Sequence, residues 1–171
     1  DSTLWKIGNK IENFTFAHSD KVIAISEDIA NNLLNKGVNP ANITVIPNWV
    51  ESDKVHPVDR RDNILISILN LDMRKFYVVY AGNLGRAQNI EVILKCAALL
   101  SDLPQICFLI FGAGNLEEEY RKMAVDLALK NLKFYPMQPY ELVKYVYSLG
   151  DIGLVTCRKG AGSRALPSKT W

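Results

Sequence analysis

Tyr77-Val-Val-Tyr-Ala-Gly-Asn-Leu-Gly-Arg-Ala-Gln-Asn89 is the stretch that decides the fold class of this chain. Its β-branched and aromatic run predicts a strand that ends at Gly82, and the apolar spacing from Asn89 onward predicts a helix. Glycines let backbone N–H groups approach a ligand, and the first turn of a helix carries partial positive charge. A strand, a glycine turn and a helix in this order predict an anion site.

The same order of elements continues along the chain. Four predicted strands alternate with helical patterns from residue 75 onward. Strict alternation predicts an α/β fold with a Rossmann-like parallel sheet and helices on both faces. Ligands bind such sheets at the carboxyl ends of the strands. The residues of interest therefore follow the four strand ends, at Ala81, Phe111, Tyr135 and Cys157.

A polar, charged stretch divides the chain. Residues 51–62 contain Pro57 and read as a linker, so we predict one domain over 1–50 and a second over 51–171. Three local signals place helix starts. Ser26 is predicted as an N-cap, Asn115 and Glu118 as a capping box, and Pro139 as a first-turn residue.

Composition excludes several classes of protein. The net charge of +2 indicates no general affinity for nucleic acid or membranes, and no apolar run approaches the ~20 residues of a membrane-spanning helix. Cys96, Cys107 and Cys157 lack metal-ligand spacing and are predicted to be buried free thiols. The two histidines have no nearby nucleophile arrangement, so no catalytic role is assigned to them.

The turn at Gly82 to Asn89 has two interpretations. It can be a tight strand-to-helix connection, since glycine turns are common. It can also be a phosphate cradle, in which the planar guanidinium of Arg86 suits phosphate oxygens. No Walker A pattern is present, because no Gly-Lys-Ser/Thr follows.

Gly112-Ala113-Gly114 follows the next predicted strand. The spacing could begin a dinucleotide fingerprint, but Glu117 occupies the position of the third glycine. A nicotinamide site is thus weakly indicated. A turn that brings a base or ribose close to the backbone fits the same residues equally well.

A cationic run follows the last strand. No acid occurs after Asp151, whereas Arg158, Lys159, Arg164 and Lys169 all lie there. The hydroxyls of Ser163 and Ser168 could donate hydrogen bonds, and several cations suit a diphosphate better than a monoanion. The alternative is a solvated loop.

Five passages in order resemble glycosyltransferase family 4, whose members have the GT-B fold. They are Val22 to Ser26, Val45 to Glu51, Tyr80 to Gly85, Phe111 to Gly114 and Leu166 to Lys169. The last one, Leu-Pro-Ser-Lys, is similar to the Pro-Ser-Lys of bacterial members that build capsule, O-antigen or exopolysaccharide. The resemblance covers nearly the whole chain, which would be a C-terminal fragment with a truncated donor domain.

The resemblance implies a donor site for a nucleotide-diphosphate sugar. Diphosphate and sugar would lie near Gly82, Asn83, Leu84, Gly85, Arg86, Ser163, Arg164, Ser168 and Lys169. The nucleotide would lie near Gly112, Gly114, Pro136, Met137 and Gln138. Asn83 and Gln88 stand where the family often has Arg and Lys, so we expect Arg86 and Lys169 to supply the positive charge.

The reaction implied by the resemblance is glycosyl transfer with retention of anomeric configuration, without cofactor or obligatory metal. The acceptor would be a glycan or a lipid-linked glycan in cell-surface polysaccharide synthesis. A cytoplasmic enzyme is expected, in peripheral contact with the inner face of the membrane through the full-length protein. No catalytic residue is assigned, and the fragment alone is expected to bind nucleotide weakly and to transfer nothing.

Three other functions stay open from the residues. A sugar-nucleotide 2-epimerase shares the fold but needs catalytic carboxylates and histidines that we cannot place. A dehydrogenase-like protein would bind NAD. A non-catalytic nucleotide-binding or interaction module would need none of this chemistry.

Overall fold

The computed structural model describes residues 2–159 and separates them into two compact units, which meet in sequence at Trp49 and Val50. The first unit pairs two short parallel strands with two helices. Its elements are α1 (Thr3–Ala17), β1 (Val22–Ala24), α2 (Glu27–Asn35) and β2 (Ile43–Val45).

Local chemistry accounts for the helix ends in the first unit. Ser26 caps α2 as predicted, since its Oγ accepts a hydrogen bond from the Ile29 amide at 3.3 Å. Gly37 follows the helix with a φ of 85°, a conformation in which glycine has no steric penalty. α2 contributes Ala30 and Leu33 to a small core, whereas none of the residues of Thr3–Ala17 is buried.

The second unit is a four-stranded parallel sheet with the strand order β5-β4-β3-β6. Alternation of strand and helix produces this topology, because parallel neighbours need a crossover helix. Its elements are α3 (Ile64–Ile68), β3 (Phe76–Ala81), α4 (Ile90–Leu99), β4 (Ile106–Phe111), α5 (Glu117–Asp126), β5 (Leu132–Tyr135), α6 (Val143–Leu149) and β6 (Ile152–Leu154).

Helices cover both faces of this sheet, as the sequence predicted. Val78 and Tyr80 of β3 pack with α4 and α5 on one face, and Tyr77 and Val79 pack with α3 and α6 on the other. Both sets are buried because successive side chains of a strand point to opposite faces. The apolar runs of the central strands therefore reflect burial on two sides.

An ion pair closes the amino end of the sheet. Arg60 Nη2 lies 2.6 Å from Asp151 Oδ2, which also accepts a hydrogen bond from the Tyr77 amide at 2.7 Å. Arg60 further donates to the carbonyl oxygens of Lys75 (2.9 Å) and Leu149 (3.2 Å). The predicted linker or boundary, residues 51–62, lies within the second unit, and its end, Arg60–Asp62, forms a 3₁₀ turn from which Arg60 bonds to the sheet.

Two predicted helix starts are wrong. α5 begins at Glu117 without a cap from a described side chain. The capping box is not needed, because the amides of Leu116 and Glu117 donate to the carbonyl oxygens of Leu84 and Gly114. Pro139 precedes a 3₁₀ turn (Tyr140–Leu142) rather than occupying the first turn of α6.

The prediction for the cysteines is right about free thiols and wrong about their burial. All three thiols are free. Cys96 and Cys157 are exposed and Cys107 is half-buried, so the expectation of burial is wrong. Cys96 falls outside the face of α4 formed by Ile90, Ile93, Leu94 and Ala97, which is the face that packs on the sheet.

Candidate functional site

Two loops lie against each other at the carboxyl end of the sheet, one after β3 and one after β4. The Leu84 amide donates to the carbonyl oxygen of Ala113 at 2.9 Å, and the Leu116 amide donates to the carbonyl oxygen of Leu84 at 3.1 Å. The Gly82 amide donates to Phe111 at 2.8 Å, which continues the pairing of the strands beyond their ends. The loops therefore form one surface at this edge.

The glycines of the second loop make this contact possible. A Cβ at Gly112 would lie 2.0 Å from the carbonyl oxygen of Gly82, and a Cβ at Gly114 would lie 2.6 Å from the carbonyl carbon and oxygen of Leu84. The approach of backbone to backbone excludes any side chain at both positions. Gly112 and Gly114 thus serve loop packing, a role that the sequence did not distinguish from ligand contact.

The side chain of Leu84 belongs to the core. Its side chain is only 1% exposed and packs in the core under α4 and α5. Its amide and its carbonyl oxygen are both used in contacts with the neighbouring loop. Leu84 therefore has no free amide to donate to a phosphate, and its predicted place near the diphosphate stays a prediction.

The polar residues of the first loop lie at the surface. The Tyr80 hydroxyl donates to the carbonyl oxygen of Asn83 at 2.8 Å and holds the loop from below, whereas the Asn83 side chain is exposed. Gly85 is buried and precedes a 3₁₀ turn, Arg86–Gln88. Arg86 is exposed, and it forms no ion pair with any residue from 2 to 159. The helix was predicted to begin at Asn89. In the structure Asn89 has a φ of 52° and precedes the helix, so α4 begins one residue later, at Ile90.

A cavity of about 90 Å³ opens where three strands end. It brings together Gly82 after β3, Phe111 at the end of β4, and Met137 and Gln138 after β5. Gln138 Nε2 donates to the carbonyl oxygen of Pro136 at 2.9 Å, which fixes the side chain over the turn. Two of the predicted nucleotide residues thus line one cavity with Gly82. Its full lining is Ala81, Gly82, Phe111, Met137, Gln138, Val143, Val146 and Tyr147.

The sequence missed the contribution of α6 to this cavity. Val143, Val146 and Tyr147 line it from one face of the helix. Tyr147 is 39% exposed, and the partial burial of its ring raises the pKa of its hydroxyl, which is neutral at pH 7 and able to donate a hydrogen bond. The spacing of these residues by three and four positions is the signal that could have identified them.

The segment after β6 also reaches this edge. Thr156 Oγ1 donates to the carbonyl oxygen of Gln88 at 2.6 Å, and the Arg158 amide donates to the carbonyl oxygen of Ala87 at 2.9 Å. Arg158 also pairs with Glu91 of α4 at 2.8 Å. The predicted last strand, 151–157, is therefore too long, because its second half bonds to the turn instead of to the sheet.

Four predicted phosphate residues, Ser163, Arg164, Ser168 and Lys169, lie outside the described residues, so their assignment stays a prediction. Within residues 2–159, no three His, Cys, Asp or Glu side chains cluster closely enough to hold a metal ion. In the same range no helix is both long and apolar enough to cross a membrane.

Two family models match the chain in sequence order. The model of Glycosyltransferase Family 4 matches residues 1–54. The model of Glycosyl transferases group 1 matches residues 62–166, which is more than half of the chain and includes the whole described sheet. The chain belongs to this glycosyltransferase family. The predicted family is thereby confirmed.

Curated relatives agree with this family. WcaI of Escherichia coli, named as a glycosyl transferase of colanic acid biosynthesis, is 35% identical over 151 residues, covering 88% of this chain and 37% of its own. WbjE of Pseudomonas aeruginosa, named as a glycosyltransferase, is 26% identical over 171 residues, covering 100% of this chain and 42% of its own. The chain thus spans about two fifths of the length of these relatives.

Solved glycosyltransferase structures share the fold. HepE from Anabaena, solved with UDP and glucose, superimposes with a TM-score of 0.75 at 17% identity, over 88% of this chain and 42% of that one. WaaG, described as a glycosyltransferase of lipopolysaccharide biosynthesis, gives a TM-score of 0.69 at 13% identity, over 84% and 40%. The predicted GT-B class is confirmed by this likeness.

Proposed function

We propose that residues 51–171 form the donor-binding part of an enzyme that moves a sugar from a nucleotide-diphosphate sugar to a glycan or lipid-linked acceptor. The observation that carries the proposal is the cavity at which three neighbouring parallel strands end. Colanic acid in the name of WcaI supports a role in cell-surface polysaccharide synthesis. UDP and glucose in the HepE structure support the type of donor.

The cavity holds one part of this donor. At about 90 Å³ it is smaller than the roughly 300–1,000 Å³ of pockets that enclose a whole ligand. Met137 and Tyr147 offer apolar and aromatic surface for a base, and Gln138 offers an amide oxygen as acceptor. The rest of the donor would extend from the cavity over Gly82 and toward Arg86.

Charge stabilisation of the leaving diphosphate is the contribution that this part of the enzyme makes to the reaction. The Arg86 guanidinium has no carboxylate partner within the described residues, so its charge is available to phosphate oxygens. The family resemblance assigns further contacts with the diphosphate to Ser168 and Lys169. Stabilisation of the charge that develops on the leaving group accelerates transfer without a metal, and we propose retention of anomeric configuration.

The proposed location follows from the proposed acceptor. A cytoplasmic enzyme would meet nucleotide sugars and lipid-linked acceptors at the inner face of the membrane. A relative from Streptococcus pneumoniae, 27% identical over 142 residues, is named as a synthase of the lipid alpha-galactosylglucosyldiacylglycerol and supports a lipid-linked acceptor.

Calorimetric titration of the chain with UDP, GDP and NAD tests the proposal. We expect a nucleoside diphosphate to bind and NAD not to bind. Tyr147→Ala should weaken that binding by about 1 kcal/mol, roughly fivefold, because apolar area is lost from the cavity. Tyr140→Ala is the control, since Tyr140 is exposed and lies outside the cavity.

The other outcomes separate the alternatives. Binding of NAD alone would favour a dehydrogenase-like protein, and binding of no nucleotide would favour an interaction module. Sugar transfer by the chain alone would contradict the expectation that it binds donor without turnover.

A further inference from the structure

The turn after β3 is joined to a distant part of the chain, the segment 155–158 after β6. Two hydrogen bonds, from Thr156 Oγ1 and from the Arg158 amide, hold the carbonyl oxygens of Gln88 and Ala87. An ion pair between Arg158 and Glu91, which are 67 residues apart, adds a third contact. These contacts fix the orientation of the two peptide units that end the Arg86–Gln88 turn.

The polar groups around this ion pair are incompletely satisfied. Glu91 Oε2 and Gln88 Oε1 are buried and accept no hydrogen bond from the described residues. Under them, the wholly buried Tyr120 hydroxyl lies 3.5 Å from the carbonyl oxygen of Gly85. Burial, and then the charge of Glu91, raise the pKa of Tyr120. Glu91 thus lies close to Tyr120 of α5 and to Arg158, so its carboxylate is surrounded by groups from two other segments.

The ion pair also decides which arginine is free. Arg158 and Arg86 both lie at the turn, but the Glu91 carboxylate neutralises Arg158. Arg86 is left as the unpaired cation next to Gly85 in the described part of the chain. Because Arg86 opens the turn whose other end Arg158 and Thr156 hold, its position depends on those contacts.

We propose that Glu91 is a positioning residue for donor binding. By pairing with Arg158 it holds segment 155–158 against the Arg86–Gln88 turn and so places the Arg86 guanidinium for the diphosphate. The inference rests on the proposed function, because it concerns the same donor. It assigns no contact between Glu91 and the donor itself.

Glu91→Gln tests the proposal, because it removes the charge and keeps the shape of the side chain. UDP should bind the variant about three- to fivefold more weakly, the effect of one half-exposed ion pair, whereas uridine should bind as before. Uridine is the internal reference, since it has the base for the cavity but no diphosphate for the turn. The measurement is calorimetry of both ligands with each variant.

Glu117→Gln is the matched control. Its ion pair with Arg121 has side-chain exposures of 28% and 46%, almost equal to the 25% and 46% of Glu91 and Arg158. The Glu117 pair lies within one helix and joins no separate segments. Its loss should change neither UDP nor uridine binding.

Replacement of Arg158 provides the rescue test. Arg158→Met keeps the apolar stem but has no charge, and it should weaken UDP binding as Glu91→Gln does. Arg158→Lys can still pair with Glu91, so it should restore most of that loss. A merely structural role of the Arg158 stem would predict equal losses for Lys and Met.

Amide hydrogen exchange gives a readout that needs no nucleotide. In Glu91→Gln, peptides covering 86–89 and 155–158 should exchange about threefold or more faster, because local opening becomes easier, and the urea midpoint should fall only slightly. Unchanged exchange there, or equal weakening of UDP and uridine, would overturn the inference. If the wild-type chain binds no nucleotide, the proposed function fails, while the exchange result still decides whether Glu91 holds the turn.

Discussion

The two ends of the second sheet treat their polar groups in opposite ways. At the amino end, Arg60 finds three acceptors and Asp151 Oδ2 accepts from both Arg60 and the Tyr77 amide. At the carboxyl end, Arg86 is exposed and has no ion-pair partner among residues 2–159, and a largely apolar cavity opens between the strand ends. The same sheet thus has one closed end and one open end.

This difference distinguishes the polar groups that stabilise the fold from those that remain available to a ligand. A satisfied network holds its members in one arrangement, and it has nothing left to offer a ligand. Loops at the open end are fixed by backbone contacts between Gly82, Leu84 and Gly112, which leaves Asn83 and Arg86 at the surface. Ligands generally bind parallel sheets at the carboxyl ends of the strands, and the exposed groups at this end agree with the proposed donor site.

The largest effect is expected from Gly112→Ala, which places a Cβ against the carbonyl oxygen of Gly82 at 2.0 Å. No rotamer can relieve a clash with backbone, so the two loops must separate. We expect a loss of about 3 kcal/mol or more in the free energy of unfolding by urea. Gly153→Ala is the control, because a Cβ there meets nothing within 4 Å. Equal midpoints for the two variants would contradict the loop contact.

Asp151→Asn should have the next largest effect, since it breaks the ion pair that closes the amino end. Arg60 and Asp151 have side-chain exposures of only 24% and 31%. We expect a loss of about 1–3 kcal/mol in unfolding free energy and no change in nucleotide binding. Asp72→Asn serves as control, because Asp72 pairs with exposed Arg74 two residues away and should leave the midpoint unchanged. A loss of nucleotide affinity in Asp151→Asn would contradict the view that the amino end of the sheet contributes to stability and not to binding.

Acid should weaken the amino end through the same carboxylate. Burial opposes ionisation of Asp151, but hydrogen bonds from the Tyr77 amide and Arg60 outweigh it and lower its pKa below the ordinary value. A lowered folded pKa stabilises the protein above the unfolded value of about 3.9, and this contribution is lost as pH falls through the folded pKa. The midpoint difference between wild type and Asp151→Asn should therefore persist at pH 5 and shrink toward pH 3. A constant difference would show that the charge is irrelevant.

Met137→Ala should have the smallest effect and confine it to the open end. Met137 is 54% exposed and lines the cavity, so few core contacts are lost. We expect nucleotide binding to weaken by about 0.5 kcal/mol, roughly twofold, with an unchanged unfolding midpoint. Calorimetry and urea unfolding of the same preparation would check both parts. A change in stability without a change in binding would contradict the proposal that Met137 contacts the nucleotide.

Local patterns predicted most of the elements and misplaced their ends. The run before Gly82 predicted β3 correctly, and Ser26 was predicted correctly as the N-cap of α2, because both depend on neighbours within a few residues. The capping box at Asn115 and the length of the last strand were wrong. In both places, the hydrogen-bond acceptors are backbone carbonyl groups of the loop after β3: the Leu116 amide donates to Leu84, and the Thr156 hydroxyl donates to Gln88.

The sequence by itself determined the class of sheet and the family, and it predicted the sheet edge at which the proposed site lies. Periods of two and of about 3.6 residues are local, so alternating strands and helices can be read without coordinates. Only the tertiary structure decided what the edge residues do. Gly112 packs against Gly82, Leu84 is core, and Glu91 meets Arg158 across 67 residues. These roles depend on contacts between distant segments, and such contacts leave no local periodicity in the chain.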